Sequence, residues 1–237
     1  KMEQQYLIKL NWNPRIEVIH NAVITNSTTT EKMCAQTFAV YQKVMDSNVL
    51  EQMDDDTQQL MATIIKTGTL GDRRWVELQV PETIDWRRIL IYAEHQNIRN
   101  YIDYGINLLG LSALSLDTEK LPAYFPKSYQ RPQSIKTMIG EYKGNETDYL
   151  VRMIRQIEKQ PPLLHLIEVT RELYRDTVND DLLQEALEGK KLTKFASRLM
   201  QVLHEQTLLD EGYMPIPPLD DRGTQKIRES ITNHLKI

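Results

Sequence analysis

Four consecutive amphipathic stretches between residues 145 and 207 limit most strongly what this chain can fold into. In the first stretch, five apolar side chains recur at the 3.6-residue period of an α-helix and therefore share one helix face. They are Tyr149, Leu150, Met153, Ile154 and Ile157. An amphipathic helix must bury its apolar face against another element, and the turns between these stretches are very short. The sequence therefore predicts an all-α bundle in the C-terminal half of the chain.

Residues that start and stop helices divide this region into its four stretches. Pro161 and Pro162 end the first helix and open the second, because proline lacks the amide hydrogen that a helix interior needs. Gly189 is predicted to close the third helix in a left-handed conformation. The first, third and fourth helices each begin at a polar side chain that can cap free amides: Asn145 or Thr147, then Asn179, then Thr193.

The second stretch has a clear apolar stripe and a clear charged face. Its predicted inward positions are Leu163, Leu166, Ile167, Thr170, Leu173 and Tyr174. Its charged side chains, which we expect to face water, are Glu168, Arg171, Glu172 and Arg175.

Two segments of the N-terminal half have the alternation of β-strands. Residues 5–25 contain two apolar runs on either side of a turn at residues 11–14, which predicts a hairpin. In residues 75–80, Val76, Leu78 and Val80 alternate with polar side chains and would share one face of a strand. These segments predict a small antiparallel sheet.

Helices are also predicted in the N-terminal half. One begins at Glu31, a second follows the aspartates at 54–56 and ends near Gly68, and a third runs from a cap at Asp85 to near Gly105 or Gly110. The fold class predicted for the whole chain is therefore mainly α, with an α+β N-terminal unit followed by an all-α helical bundle.

A connector between these two parts is predicted at residues 117–134, where helical periodicity fails and three prolines occur. It contains Tyr124, Phe125 and Tyr129, whereas a free tether would be richer in glycine and serine. We therefore expect the connector to lie on one of the domains. The predicted domains are residues 1–116 and 135–237.

Composition places the chain among ordinary globular proteins, with 41% hydrophobic and 26% charged residues. No apolar run approaches the roughly 20 residues that span a bilayer, so no membrane partner is expected. A single cysteine, Cys34, excludes an internal disulfide and favours an intracellular compartment, cytoplasmic or nuclear. The net charge of −4 disfavours a protein that coats nucleic acid with its whole surface.

No motif in the sequence carries a specific chemistry. The chain has no phosphate-binding glycine loop and no nucleophile turn, and its five histidines lack the spacing of a zinc site. The acidic runs at 54–56, 180–181 and 220–221 are interpreted mainly as helix caps or exposed residues. The sequence therefore predicts no catalytic residue, no metal and no cofactor, and it leaves a small-molecule ligand unknown.

A basic strip in residues 120–159 is the strongest electrostatic signal. This range contains eight basic and four acidic residues, although the chain as a whole is acidic. Several aromatic residues lie close to them in the sequence. Such a mixture suits a nucleic-acid strand or an acidic protein partner, although a solvated helix face explains it as well. The basic residues are Lys120, Lys127, Arg131, Lys136, Lys143, Arg152, Arg155 and Lys159.

A helix-turn-helix outline spans residues 180–206, from Asp180 to Gln206. Its second helix would enter a DNA groove with Lys194 and Arg198, and Lys190 and Lys191 would lie near the backbone. A helical hairpin that serves only the core is the favoured interpretation, because the segment after it contains two acidic residues.

The function predicted from these observations is a non-catalytic protein–protein interaction or assembly subunit that acts through helical surfaces, with other protein subunits as partners. The alternative is a protein that binds RNA or DNA through the basic strip or the helix-turn-helix.

Overall fold

The computed structural model describes residues 30–46, 53–74, 76–112, 125, 129–140, 144–157, 161–175 and 178–233. Contacts divide the chain into two units, Lys1–Ser47 and Asn48–Ile237. In the first unit, helix α1 (Thr30–Asp46) has an exposed aromatic side chain, Phe38, on its surface. The hairpin predicted at residues 5–25 lies outside the described residues.

The second unit consists of nine further α-helices and one short 3-10 helix in the part of the chain that the structure describes. Their bounds are α2 (Asp55–Leu70), α3 (Trp86–His95), α4 (Arg99–Leu109), α5 (Ile135–Ile139), α6 (Glu146–Gln156), α7 (Leu163–Arg175), α8 (Asp180–Gly189), α9 (Thr193–Thr207) and α10 (Arg222–Asn233). The 3-10 helix is Glu211–Tyr213.

The predicted α+β N-terminal unit is wrong for the described residues, which are helical and contain no strand. Residues 76–80 adopt no regular structure, and Leu78 and Val80 remain 37% and 52% exposed. The alternation is present, but no described strand pairs with this segment, and Leu78 and Val80 do not belong to the buried core. A strand needs both a partner and a buried face to form.

The helix predicted from Asp85 is two helices, α3 and α4. The break occurs at Asn97, whose φ of 56° lies in the left-handed region that asparagine tolerates. Ile98 is fully buried at the corner, so the turn folds inward rather than into solvent. Apolar periodicity alone did not reveal this corner, because apolar residues continue on both sides of it.

Helices α2 and α4 form the most extensive pair in the second unit, and two glycines permit their close approach. A Cβ at Gly68 would lie 2.0 Å from the carbonyl oxygen of Tyr101, and one at Gly105 would lie 2.2 Å from that of Ile64. Both distances are far inside van der Waals contact, so the two backbones touch where any other residue would separate them.

Helices α7 and α9 lie at the centre of the core. Helix α2 packs against both of them, and α9 also contacts α8 and α10. The predicted packing of α6 to α9 as neighbours is confirmed. Helices on both sides of residues 117–134 therefore share one continuous core of buried side chains.

The caps of the bundle are mostly those that the sequence indicates. Asn145 accepts a hydrogen bond from Asp148 N, and Asn179 accepts one from Leu182 N. The predicted cap at Thr193 is wrong, because Leu192 occupies that position without a side-chain cap. Lys191, with φ of 58°, takes the left-handed position predicted for Gly189.

The described part of the connector lies on α3. The ring of Tyr129 is 4.6 Å from that of His95, measured between centroids, and the ring of Phe125 is 5.2 Å from it. The Tyr129 hydroxyl donates to the carbonyl oxygen of His95, and burial raises the pKa of Tyr129 to about 12. The expectation that these aromatics pack on a domain is met at both positions.

Glu168 is buried at 4% exposure, although its spacing predicted a position facing water. Its carboxylate accepts hydrogen bonds from Ser134 Oγ and, at 2.7 Å, from Ile135 N. Glu168 therefore caps α5 from a helix more than thirty residues away. Sequence periodicity does not show such a long-range cap, because it depends on how α5 docks on α7.

Candidate interaction surface

The described members of the basic strip include two cations that are paired with carboxylates. Arg131 lies 3.1 Å from a carboxylate oxygen of Glu94, and Lys136 forms an ion pair with Glu172. Arg152 and Arg155 are exposed on α6. Lys120, Lys127, Lys143 and Lys159 lie outside the described residues.

The helix-turn-helix outline corresponds to α8 and α9, and its two helices contact each other. Lys190 and Lys191 form an exposed turn, and Lys194 is exposed 3.9 Å from Asp221. Arg198 makes two 2.7 Å hydrogen bonds to the same aspartate. Helix α10 and its preceding loop thus pack on the face of α9 that would have to enter a groove.

A second ionic cluster joins α9 to α10. Arg228 donates to both carboxylate oxygens of Glu205, at 2.7 and 2.5 Å, and to Asp220 at 3.0 and 2.8 Å. These hydrogen bonds hold the pKa of Glu205 below its ordinary value. Both aspartates of the acidic run at 220–221 therefore accept hydrogen bonds from arginines, Asp220 from Arg228 and Asp221 from Arg198.

The other acidic runs lie at helix starts. Asp54 accepts a 2.8 Å hydrogen bond from Thr57 N, and the hydrogen bonds from Thr57 lower the pKa of Asp54. Asp180 and Asp181 occupy the first turn of α8. Among the described residues, no group of three or more histidine, cysteine, aspartate or glutamate side chains is arranged to hold a metal ion.

Arginine and tyrosine side chains gather around the C-terminal end of α2, between α4 and α7. We call this group the Arg–Tyr surface. Its members come from the loop after α2, from α4, from α7 and from the 3-10 helix: Arg74, Tyr101, Tyr104, Arg171, Tyr174, Arg175 and Tyr213.

Arg171 organises the half of this surface that faces α4. Its guanidinium carbon lies 5.4 Å from the centroid of the Tyr101 ring, and its Nη1 donates at 3.4 Å to the carbonyl oxygen of Gly68. The cation therefore stacks on an aromatic face while it binds the last turn of α2, where the helix dipole favours positive charge.

The other half is built on the loop after α2. Arg74 lies 2.5 Å from Asp72, and this carboxylate, with a smaller contribution from nearby Tyr174, raises the pKa of Arg74. The Tyr174 ring packs on that of Tyr213 with 4.9 Å between centroids. Tyr213 is 43% exposed, so this chain of contacts ends at an aromatic ring in solvent.

Tyr104 supplies a second exposed ring at the end of α2. Its hydroxyl and ring edge lie 3.5 Å from the position that a Cβ would occupy on Gly71, and its side chain is 44% exposed. Gly71 has φ of 72° and closes α2, so the ring rests on a turn that excludes larger residues.

The electrostatic character of the Arg–Tyr surface is mixed. Burial raises the pKa of Tyr101, and nearby Glu168 raises it further, whereas Arg171, Lys136 and Arg175 oppose this shift. The side-chain hydrogen bond to Arg74 lowers the pKa of Asp72. Several of its cations are thus balanced by local carboxylates and rings.

The sequence reasoning missed this surface. Spacing places Tyr101 with Tyr104 and Arg171 with Tyr174 and Arg175 one helical turn apart, which is a signal that each pair shares a face. Nothing in the sequence shows that these two faces meet at the end of α2, because that contact depends on the Gly68–Gly105 crossing.

An open depression of about 420 Å³ lies on α8, away from the Arg–Tyr surface in sequence. It is lined by Leu182, Glu185, Ala186, Gly189 and Lys190. Leu182 is 53% exposed there. The depression is lined by a single helix and has no convergent set of polar groups, so it offers no catalytic arrangement.

Comparison with protein-family models, with curated proteins and with solved structures finds no match to this chain. Within the described residues, every helix is too short or too polar to cross a bilayer.

Proposed function

We propose that this chain is a non-catalytic protein–protein interaction subunit that binds its partner through the Arg–Tyr surface. The observation that carries the proposal is the exposure of Tyr104 and Tyr213, at 44% and 43%, beside arginine and tyrosine side chains of the same surface. Arginine and tyrosine are enriched among the residues that dominate binding energy at protein interfaces.

Preorganisation supports this function. Tyr213 packs on the ring of Tyr174, and Tyr104 lies beside the Gly71 turn, so each exposed ring has lost part of its side-chain freedom before binding. Ordering a flexible side chain at an interface costs about 0.5–1.5 kcal/mol, and rings that are already held avoid part of that cost. A protein partner would bury both rings and leave the paired charges near the rim.

The charge arrangement favours a protein partner over nucleic acid. Nucleic-acid affinity rests on cations that neutralise phosphates, whereas Arg74, Arg131 and Arg198 already contact carboxylates. The net charge of −4 adds long-range repulsion for a polyanion.

The test is partner capture followed by a measured affinity. The tagged chain is cross-linked in extract of its source cells, the captured protein is purified, and its Kd is measured for wild type, Tyr104→Ala and Tyr213→Ala. We expect each substitution to weaken binding by about tenfold or more, as at interface hot spots. Leu182→Ala is the matched control, since Leu182 is also exposed but lies on α8. Unchanged affinity in both tyrosine variants would reject the surface.

A second measurement separates the two classes of partner. Binding to labelled single-stranded RNA and DNA is followed across a salt series. The proposal predicts little binding at any salt concentration. Tight binding that falls steeply with salt would reject it in favour of a nucleic-acid function, because phosphate contacts release counterions.

A further inference from the structure

Residues 77–80 form an exposed segment that has no secondary structure and no backbone hydrogen bond to the rest of the described chain, and the Val76 amide before them donates at 3.2 Å to the carbonyl oxygen of Arg73. Leu78 and Val80 are among the most exposed large apolar side chains of the described chain, at 37% and 52%. Exposed apolar residues beside unpaired backbone groups are the features of a strand edge that lacks its neighbour.

The sequence of this segment is nearly the same in both directions. It reads Val76, Glu77, Leu78, Gln79 and Val80, with apolar side chains on one face and polar ones on the other. A two-fold symmetric contact requires a surface that is complementary to itself. A palindromic strand satisfies this requirement when two copies run antiparallel.

We propose that residues 76–80 pair with the same residues of a second copy of this chain as an antiparallel two-stranded ribbon. Leu78 lies opposite Leu78 of the other copy, and Val76 lies opposite Val80. Both copies present their apolar residues on one face of the ribbon, where cross-strand apolar pairs stabilise it. Glu77 lies opposite Gln79, whose amide can donate to the carboxylate.

Pro81 selects the hydrogen-bonding register. Antiparallel pairs alternate between hydrogen-bonded and non-hydrogen-bonded positions. If Leu78 is a hydrogen-bonded position, then Val76 and Val80 are too, and Pro81 falls at a position that needs no amide donor. In the ribbon the Val76 amide exchanges its 3.2 Å bond to the Arg73 carbonyl oxygen for one to the other copy. The opposite register would require a hydrogen that proline lacks.

Charge complementarity selects the antiparallel direction. Arg74 and Glu82 stand at equal distances along the chain from Leu78, and both are exposed. Antiparallel pairing brings Arg74 of each copy, which also pairs with Asp72 of its own chain, toward Glu82 of the other. Parallel pairing would instead place arginine beside arginine and glutamate beside glutamate, which is unfavourable.

The ribbon should associate weakly. A stable protein interface buries about 800 Å² on each partner, and a five-residue strand pair buries much less. Dimerisation is therefore expected to depend on concentration over the range from about 10 µM to 1 mM.

Sedimentation equilibrium of the full chain over this range tests the proposal. Leu78→Asp places two carboxylates opposite each other, and Glu82→Arg places two arginines together, so each should weaken dimerisation by about tenfold or more. Leu182→Asp, a change at another exposed leucine, is the matched control and should leave the dimer unchanged. A monomer at every concentration, or a dimer that neither variant weakens, would overturn the proposal.

Covalent trapping reports the pairing directly. In a Cys34→Ser background, Leu78→Cys should form a disulfide-linked dimer under mild oxidation, because opposed residues of a ribbon lie within disulfide range. Leu182→Cys should not. Equal trapping at both positions would show random collision and reject the ribbon. The double variant Tyr104→Ala, Tyr213→Ala should leave this dimer intact, because both tyrosines lie outside residues 76–80. Failure of the ribbon and failure of the proposed function can therefore be told apart.

Discussion

Gly68 and Gly105 set how closely α2 and α4 approach, and Gly68→Ala should be strongly destabilising. The new Cβ would lie 2.0 Å from the Tyr101 carbonyl oxygen, which is backbone and cannot rotate away. We expect Gly68→Ala to lower the free energy of unfolding by about 3 kcal/mol, the upper end for overpacking, in urea denaturation.

Gly189→Ala is the control for this prediction. A Cβ at Gly189 meets nothing within 4 Å, and its φ is not positive. Alanine there should leave stability unchanged or raise it by up to about 1 kcal/mol, because it favours the helix. Equal effects of the two substitutions would contradict the backbone contact between α2 and α4.

Glu168 should contribute far more to stability than the exposed ion pair one turn away. Glu168→Ala leaves Ser134 Oγ and the amide of Ile135 without their buried acceptor, which costs about 3 kcal/mol. Lys136→Ala removes a half-exposed partner of Glu172 and should cost about 1 kcal/mol or less. Urea denaturation of both variants checks the order, and a reversed order would contradict the capping role of Glu168.

Local signals at single residues were read correctly where the interaction is local. Asn145 and Asn179 cap the amides three positions ahead of them, so sequence distance fixes the contact. Glu168 was misread because its partners are more than thirty residues away. Lys191 was missed because glycine is the usual left-handed residue, whereas here the turn after α8 falls two residues later.

At the scale of elements, the contact between α9 and α10 should depend on pH through Asp221. The hydrogen bond from Arg198, together with those from Gly223 N and Thr224 N, holds the pKa of Asp221 well below its ordinary 3.8. A depressed pKa means that the carboxylate stabilises the fold above its unfolded pKa and loses this effect as pH falls from about 3.8.

Asp221→Asn isolates this effect, because asparagine still caps α10 but carries no charge. We expect the variant to unfold at lower urea concentration than wild type at pH 7, and the difference to shrink as pH falls below 3.8. The other carboxylates titrate alike in both proteins and cancel. Asp220→Asn, at a more exposed carboxylate, should have a smaller effect. A difference that is independent of pH would contradict the ion pair.

The sequence predicted the type of element correctly where the apolar face of that element is buried in the core. The stripe of α6 is buried at Leu150, Met153 and Ile154, as its periodicity predicts. The alternation of residues 76–80 led to the wrong element in the described chain, because a strand depends on a neighbour that periodicity does not supply. The corner at Asn97 depends on one left-handed residue within a continuous apolar pattern.

At the scale of the whole molecule, the candidate binding surface depends on contacts between distant segments. Arg74, Tyr104 and Arg171 come together only because α2 lies between α4 and α7. The basic strip, which is local in sequence, was visible beforehand, whereas the Arg–Tyr surface was not. The helices and their apolar faces could therefore be predicted from the sequence, but the way in which the helices pack against one another could not.

The shared core predicts how two fragments of the chain behave. Residues 48–237 contain every buried apolar side chain that the core cluster has in the described part of the chain, from Met53 to Ile231, so this fragment should unfold cooperatively at nearly the urea midpoint of the full chain. Residues 135–237, the predicted bundle alone, lack α2 and would expose the faces of α7 and α9 that pack against it.

We therefore expect the shorter fragment to remain helical by circular dichroism but to bind a hydrophobic dye and unfold with weak cooperativity, as chains do when specific packing is lost. Adding back residues 48–112 as a separate chain should restore cooperative unfolding if α2 completes the core. Cooperative unfolding of residues 135–237 alone, at the midpoint of the full chain, would instead establish residues 117–134 as a true domain boundary.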